Sequence, residues 1–227
     1  MSTLAVAFTA GGAHAQPDSG ASHQHAAPVV LAPGYADLDF APPPVGGYAL
    51  PPLGEVADAR VVDAQGVIGR LHEMLGDKVV VLSFIYTRCN DVNGCPLATH
   101  VLGKLQGAIT SAPDLQGKVR LVSFSFDPSH DTPAVLRQYA GHFRKPGFDW
   151  RFVTVANAAD LTSVLDAYDQ WVVRDIDADG EFVGTLSHIL RVYLIDRDRQ
   201  IRNIYSISFL HADTVANDIR TVLLDGG

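Results

Sequence analysis

Two uninterrupted runs of β-branched and aromatic residues stand out along the chain, at 79–86 (VVVLSFIY) and 119–126 (VRLVSFSF). Such runs are typical of strands buried on both faces of a partly parallel sheet, because a half-exposed strand alternates apolar and polar positions. The pattern predicts a helix between them, joined by a right-handed crossover and opened by Pro96. The apolar residues on one face of this helix are Leu97, Val101, Leu102, Leu105 and Ile109.

The rest of the chain continues to alternate strand-like and helix-like segments. This order predicts an α/β protein with a thioredoxin-like fold, in which helices flank a central mixed sheet that carries an added hairpin insertion. The other predicted elements are a hairpin turning at 64–66 and then a short helix, a helix capped by Thr132, a strand at 150–155, a helix at 158–168, a hairpin turning at Asp179-Gly180, strands at 189–195 and 201–207, and a last helix from Ala212.

Two segments precede this domain, which we place at 55–227. Residues 1–15 are apolar and small and end in Ala13-His14-Ala15, as at a signal-peptide cleavage site, but no Lys or Arg precedes the apolar run. We interpret them as a signal peptide or the remnant of a membrane anchor, and expect a periplasmic or otherwise exported protein, with membrane attachment as an alternative. Residues 16–54 are rich in Pro, Gly and Ala and predict a linker or Pro-rich N-terminal arm.

The net charge and the number of cysteines limit the classes of function that this chain can have. The formal charge is -8 with acidic and basic residues interspersed, so the chain lacks the basic stripe that nucleic acids require, and we expect no nucleic-acid partner. Only two cysteines occur, Cys89 and Cys95, in the segment CNDVNGCP. A disulfide across so short a loop would stabilise the fold little, which indicates that the pair serves chemistry rather than structure.

Both cysteines are predicted between the carboxyl end of a buried strand and the amino end of a helix. Free N–H groups and the partial positive charge at a helix start favour a thiolate, and we expect Cys95 to feel this more than Cys89. Two soft sulfurs close together select Cu(I), and an added imidazole makes an S2N site able to hold Cu(I) or Cu(II). His188 is the candidate imidazole because it directly precedes the predicted strand 189–195; the alternative is a hydrogen-bonded structural histidine.

Four motifs, FIYTRC, CPLATHVL, VSFSFDPSHDTP and SHILRVYLID, occur in this order within about residues 53–224. They resemble the Sco/SenC copper-binding proteins, which help assemble the CuA centre of cytochrome c oxidase. The resemblance implies a thioredoxin fold that binds copper through Cys89, Cys95 and His188. It also implies a metallochaperone that supplies copper to, or matures, the CuA site of cytochrome c oxidase subunit II or another exported cuproprotein. A thioredoxin-like reductant is a further candidate partner, and we expect a monomer.

Two departures from the Sco/SenC pattern bear on the metal site. The family usually places three residues between its cysteines, as in CPDVCP, whereas this chain has five, with Asn93-Gly94 as a natural tight turn. The residue before the histidine is commonly Asp in the family and is Ser187 here, so a carboxylate that would orient the imidazole is missing at that position. Copper affinity or redox potential is therefore expected to differ from the family norm.

Two enzyme classes built on the same fold are the alternatives. A thiol-disulfide oxidoreductase acting on the cysteines of a copper site would use Cys89 and Cys95 as its catalytic pair. Most members of that class have two intervening residues and a facing cis-proline, and no proline follows residue 147 here. A thiol peroxidase is disfavoured because Thr87 lies two residues before Cys89, where that class has Thr three residues before its reactive cysteine. We therefore favour a binding protein over an enzyme.

Other residues able to carry chemistry have simpler interpretations. Asp127 follows the second core strand and is either a base or docking charge near the cysteines or, as we favour, a turn residue. Residues 175–180 copy the start of a calcium-binding EF-hand loop, but Leu186 stands where that loop needs Glu, so an acidic hairpin tip is favoured. Solvated or structural roles are favoured for the remaining histidines considered, which are His23, His25, His100, His142 and His211.

Overall fold

The computed structural model describes residues 29–226, so the predicted leader at 1–15 and the pair His23 and His25 lie outside the described residues. Within this range the chain forms ten strands and five α-helices. In chain order these are β1 (Gly54–Glu55), β2 (Arg60–Asp63), β3 (Ile68–Arg70), α1 (Leu71–Leu75), β4 (Val79–Ile85), α2 (Cys95–Ser111), β5 (Val119–Ser125), α3 (Pro133–Phe143), β6 (Trp150–Thr154), α4 (Ala158–Ala167), β7 (Val172–Ile176), β8 (Phe182–His188), β9 (Val192–Ile195), β10 (Gln200–Tyr205) and α5 (Ala212–Leu224).

Strands β4 and β5 form the centre of an eight-stranded mixed sheet. The strand order is β1-β10-β9-β4-β5-β6-β2-β3, in which β4, β5 and β6 are parallel and β9 runs antiparallel beside β4. Every residue of β4 and β5 is buried, as the uninterrupted apolar runs predict. Helices α2 and α5 pack against each other and against β4. The predicted α/β class, with a central mixed sheet flanked by helices, is confirmed.

The predicted hairpin insertion is a separate two-stranded sheet made of β7 and β8. It turns at residues 177–180, where the Gly180 N–H donates to the carbonyl oxygen of Asp177 at 3.1 Å. Asp177 Oδ1 also accepts from the N–H groups of Asp179 and Glu181, both at 2.9 Å. The acidic segment therefore caps its own turn, as the favoured interpretation of a hairpin tip requires.

The strand boundary that differs most from the prediction concerns the candidate histidine. The core strand expected at 189–195 begins only at Val192, and His188 instead ends β8, opposite Val172. The physical reason is that residues from Val192 onward pair with β4 and β10, whereas Ile189 is exposed. His188 therefore reaches the site from the added hairpin and not from the core sheet.

Residues 31–53 of the Pro-rich arm lie against the domain. The Gly46 N–H donates to Thr221 Oγ1 at 3.1 Å, and the Tyr48 hydroxyl donates to Asp218 Oδ1 at 2.5 Å. Asp218 is buried in α5, where the carboxylate accepts hydrogen bonds from two further side chains. Specific polar contacts therefore hold the arm on α5.

Among residues 29–226, no helix combines the length and hydrophobicity needed to cross a lipid bilayer.

Candidate metal centre

The two cysteines meet at the carboxyl end of β4. Cys89 lies shortly after this strand, and Cys95 is the first residue of α2. We call the residues between them, 90–94, the cysteine loop. His188 approaches from the end of β8, and its Nε2 atom lies 3.3 Å from Cys95 Sγ. Both sulfurs and one imidazole nitrogen lie within 4.8 Å of one another. Among the described residues, this is the only group of three or more His, Cys, Asp or Glu side chains placed closely enough to hold one metal ion.

A tight turn inside the cysteine loop brings the sulfurs together despite five intervening residues. The Gly94 N–H donates to the Asp91 carbonyl oxygen at 2.9 Å, and the Asn93 N–H donates to Asp91 Oδ1 at 3.0 Å. The turn is centred on Val92 and Asn93, one residue earlier than the predicted Asn93-Gly94. A Cβ atom on Gly94 would stand 3.3 Å from Cys89 Sγ, so glycine allows the loop to close beside this sulfur.

The imidazole of His188 is oriented by neighbouring rings and by the backbone. Its centroid lies 4.8 Å from the ring of Phe126, and its plane is edge-on to Tyr86. Its Nδ1 atom lies 3.3 Å from the carbonyl oxygen of Ile189. Binding a metal through Nε2 would place the ring proton on Nδ1, where it donates to this carbonyl oxygen, whereas in the metal-free chain His188 donates to the Cys89 thiolate.

Ser187 stands where the Sco/SenC pattern commonly has Asp, and its side chain contacts the hairpin rather than the imidazole. The Ser187 hydroxyl donates to Asp175 Oδ1 on β7 at 2.7 Å, and Thr185 donates to the other oxygen of the same carboxylate at 2.6 Å. This side chain therefore stabilises the hairpin. The orienting role that a carboxylate before the histidine would serve falls to the Ile189 carbonyl group.

The two thiols differ in acidity, and not in the order predicted from their helix positions. The pKa of Cys89 is lowered to about 4, chiefly by a hydrogen bond from the Cys95 thiol. Hydrogen bonds from His188 and from the backbone N–H groups of Cys95 and Asp91 lower it further, whereas burial acts in the opposite direction. Burial raises the pKa of Cys95 far above its usual range, and the charge on Cys89 adds to that shift. The helix start, which we expect to act more on Cys95 than on Cys89, therefore does not make Cys95 the more acidic thiol. Only 1% of Cys95 is exposed, and desolvation outweighs the helix N-terminus.

In the metal-free reduced chain we expect iodoacetamide to alkylate Cys89 rapidly at pH 6 and Cys95 slowly. A pKa of about 4 keeps Cys89 ionised from pH 6 to 8, so its rate changes little, whereas an ordinary cysteine speeds up about tenfold per pH unit below its pKa. Mass spectrometry of peptides from timed reactions measures each rate separately. A Cys89 rate that rises tenfold between pH 6 and pH 7 would contradict the assignment.

A buried carboxylate that the sequence analysis passed over holds the backbone leading to Cys89. Asp131 is fully buried and accepts hydrogen bonds from the Thr87 N–H at 2.9 Å, from the Thr87 hydroxyl and from Ser125 Oγ at 2.6 Å. Asp131 belongs to the quoted motif VSFSFDPSHDTP, but nothing in that string distinguishes a buried acceptor from a helix-start residue. The signal for its role is its burial, which only the tertiary structure supplies.

Asp127 is the turn residue that the sequence analysis favoured. Its carbonyl oxygen accepts from the N–H groups of His130 and Asp131, at 3.1 and 2.8 Å. Its carboxylate also forms an ion pair with Arg88 at 2.7 Å. Because Arg88 precedes Cys89, both aspartates of this turn constrain the residues next to the half-buried sulfur of Cys89.

The other histidines within the described residues lie outside the three-ligand group. His211 caps α5 by accepting from the Asp213 N–H at 3.2 Å, and its Nε2 atom lies 3.1 Å from the carbonyl oxygen of Ala36. His142 is exposed on α3. The structural interpretation of His211 and the solvated interpretation of His142 agree with these positions.

Sequence comparisons match most of the domain to one family. A family model described as SCO1/SenC matches residues 58–224. The SCO1 protein homolog of Bacillus subtilis is 23% identical over 150 residues, which cover 66% of this chain and 73% of that protein.

Solved structures match the fold. The crystal structure of Arabidopsis thaliana ScoI with copper bound aligns with a TM-score of 0.64 at 19% identity, over 76% of this chain and 99% of that one. BsSco, described as a member of the Sco family of cytochrome c oxidase assembly proteins with a disulfide switch, aligns with a TM-score of 0.59 at 24% identity, over 75% of this chain and 95% of that one. The thioredoxin-like fold is thereby confirmed.

Proposed function

Because the chain belongs to the SCO1/SenC family, we propose that it is a copper-binding metallochaperone whose metal ligands are Cys89, Cys95 and His188. The observation that carries this proposal is the meeting of two sulfurs and one imidazole nitrogen within 4.8 Å. The copper bound in the Arabidopsis thaliana structure supports the choice of metal.

The chemistry of the donor set fits copper as the cargo. Thiolate sulfur is a soft ligand that selects Cu(I), and the added imidazole nitrogen also suits Cu(II). No carboxylate belongs to the group among the described residues, which disfavours the hard cations Ca²⁺ and Mg²⁺. Structural zinc sites close with four protein ligands, and this group supplies three.

The two sulfurs are presented differently to a partner. Cys95 is buried, and its sulfur accepts from the Tyr86 N–H at 3.4 Å. Cys89 is half-buried and lines an open groove of about 570 Å³, which Tyr139 and Phe143 also line. An acceptor protein therefore reaches the metal from the Cys89 side, while Cys95 and His188 hold it until transfer.

The acceptor that we propose is the CuA site of cytochrome c oxidase subunit II, or another exported cuproprotein. Family membership and the description of BsSco as a cytochrome c oxidase assembly protein support this choice. Such acceptors are loaded outside the cytoplasm, which agrees with the exported, periplasmic location proposed from residues 1–15.

Copper titration of the full reduced chain tests the proposal. We expect one copper per chain and a Cu(II)–thiolate absorption band, both lost when Cys89 and Cys95 are replaced together by serine. A matched double variant, His23→Ala with His25→Ala, should bind like the wild type. The assigned site would be refuted if the cysteine double variant bound as much copper as the wild type. It would also be refuted if the His23 and His25 double variant lost copper binding.

A thiol-disulfide oxidoreductase is the second candidate, favoured by the low pKa of Cys89. The Cys89 thiolate would attack one sulfur of a partner disulfide and displace the other as a thiolate, which takes the proton of Cys95. The Cys95 thiolate would then attack Cys89 in the mixed disulfide and release the partner's second sulfur as a thiolate, which takes a proton from water. Two electrons thus pass to the partner, which becomes a dithiol, and this chain becomes the disulfide. A thioredoxin-like reductant would return them. This alternative would be established if the chain bound no copper and rapidly reduced a disulfide-containing peptide of the CuA site.

A further inference from the structure

The N-terminal arm contacts the cysteine loop directly. The Tyr35 hydroxyl donates to the carbonyl oxygen of Val92 at 2.5 Å, and the Ala32 N–H donates to Asn93 Oδ1 at 2.8 Å. Val92 and Asn93 are the two central residues of the turn that brings the sulfurs together. Both halves of this turn are therefore tied to residues that lie about 60 positions earlier in the chain.

The arm segment that makes these contacts is itself fixed in place. Gly34 is buried so closely that a Cβ atom there would stand 2.3 Å from the carbonyl oxygen of Leu210. The Tyr35 ring packs 4.8 Å from the ring of His100 on α2. On the far side, the His211 Nε2 atom lies 3.1 Å from the carbonyl oxygen of Ala36. The arm is thus wedged between α2 and the start of α5, and can act as a fixed support.

Neither the arm segment nor the length of the cysteine loop is part of the Sco/SenC pattern. The SCO1/SenC match begins at residue 58, so residues 32–36 precede it. The loop has five residues between its cysteines where the family pattern has three. A longer loop has more conformations to lose when its ends are held together, so it gains more from an external support.

We propose that Ala32 and Tyr35 are positioning residues for the cysteine pair, holding the cysteine loop in the arrangement that presents both sulfurs to copper and to each other. The part that concerns copper rests on the metallochaperone function proposed above, whereas the part that concerns the dithiol does not. Closing the disulfide requires the ends of the cysteine loop to be held together, so a support that holds them there lowers the entropy cost of closure. Loss of the contacts should then move the equilibrium between dithiol and disulfide toward the dithiol.

The test compares two tyrosine-to-phenylalanine variants of the full chain. Tyr35→Phe removes only the hydroxyl that reaches the cysteine loop. Tyr48→Phe removes an equivalent arm hydroxyl that instead contacts Asp218 and Asn217 on α5. Each metal-free protein is equilibrated in glutathione redox buffers, and the fraction of disulfide is measured by alkylation and mass spectrometry.

We expect Tyr35→Phe to shift the equilibrium constant toward the dithiol by about 3- to 10-fold, as the loss of one hydrogen bond implies, and Tyr48→Phe by less than about 2-fold. Ala32→Pro provides a second route, since the backbone φ of -64° at Ala32 suits proline and the substitution removes the donated N–H. The same direction of shift is expected there. Equal shifts in both tyrosine variants would overturn the proposal, because the arm would then act only through the overall stability of the protein. The absence of a shift in Tyr35→Phe would also overturn it.

Copper supplies an independent readout. In Tyr35→Phe the Cu(II)–thiolate absorption and paramagnetic resonance spectra should differ from those of the wild type, while the Tyr48→Phe spectra should match it. A wild type that binds no copper would end the metallochaperone proposal and leave the glutathione measurement valid. A wild type that binds copper, with no spectral or redox change in Tyr35→Phe, would end the positioning proposal alone.

Discussion

Replacing His188 with alanine is expected to weaken Cu(II) binding by about 100-fold or more, since loss of even an outer partner of a metal ligand typically costs about 10- to 100-fold. The His188 Nε2 atom lies 3.3 Å from Cys95 Sγ and is the only nitrogen in the ligand group among the described residues. Cu(II) favours nitrogen donors, whereas two thiolates already suit Cu(I). Cu(I) affinity should therefore fall much less. Competition titrations with chelators specific for each oxidation state measure both effects.

His142→Ala is the matched control for this variant. His142 is an exposed histidine on α3 and lies outside the ligand group, so its loss should change neither affinity. Unchanged Cu(II) affinity in His188→Ala would show that this histidine is structural, the alternative that the sequence left open. An equal fall for both oxidation states would place the effect in the folding of the hairpin rather than in ligation.

Asp131→Ala is expected to lower the free energy of unfolding by about 3 kcal/mol. The carboxylate is fully buried and accepts from the Thr87 N–H, the Thr87 hydroxyl and the Ser125 hydroxyl, so alanine leaves these donors without their acceptor. Because Thr87 lies two residues before Cys89, the same change should also broaden the range of positions of the half-buried Cys89 sulfur. Urea denaturation of the metal-free reduced chain, with the slope compared between variants, gives the stability change.

Asp127→Ala is the control within the same turn. Its carboxylate, which is 10% exposed, pairs with Arg88, whose side chain is 37% exposed, whereas the Asp131 carboxylate accepts from three donors, so a smaller loss of stability is expected for Asp127→Ala. A loss of stability in Asp131→Ala no larger than in Asp127→Ala would show that the buried carboxylate is not what holds the strand end. A changed urea slope in either variant would mean that the unfolded state had changed as well.

The elements around the site follow from local patterns in the sequence. The uninterrupted runs at 79–86 and 119–126 predict β4 and β5, and the helical spacing after Pro96 predicts α2, because each pattern reports the burial of one short segment. The position of Cys89 and Cys95 between a strand end and a helix start follows from the same windows. The four motifs resembling Sco/SenC proteins then point to a histidine far away in the chain.

The tertiary structure decided the chemistry of these residues, because that chemistry depends on groups distant in sequence. Cys95 and His188 are 93 positions apart, Thr87 and Asp131 are 44, and Tyr35 and Val92 are 57. No local period encodes such pairs. Helix position alone predicts that Cys95 is the more acidic thiol, yet its burial makes Cys89 the thiolate. The sequence by itself determined which groups stand at the end of β4, and the tertiary structure determined their desolvation, their orientation and the arm that supports them.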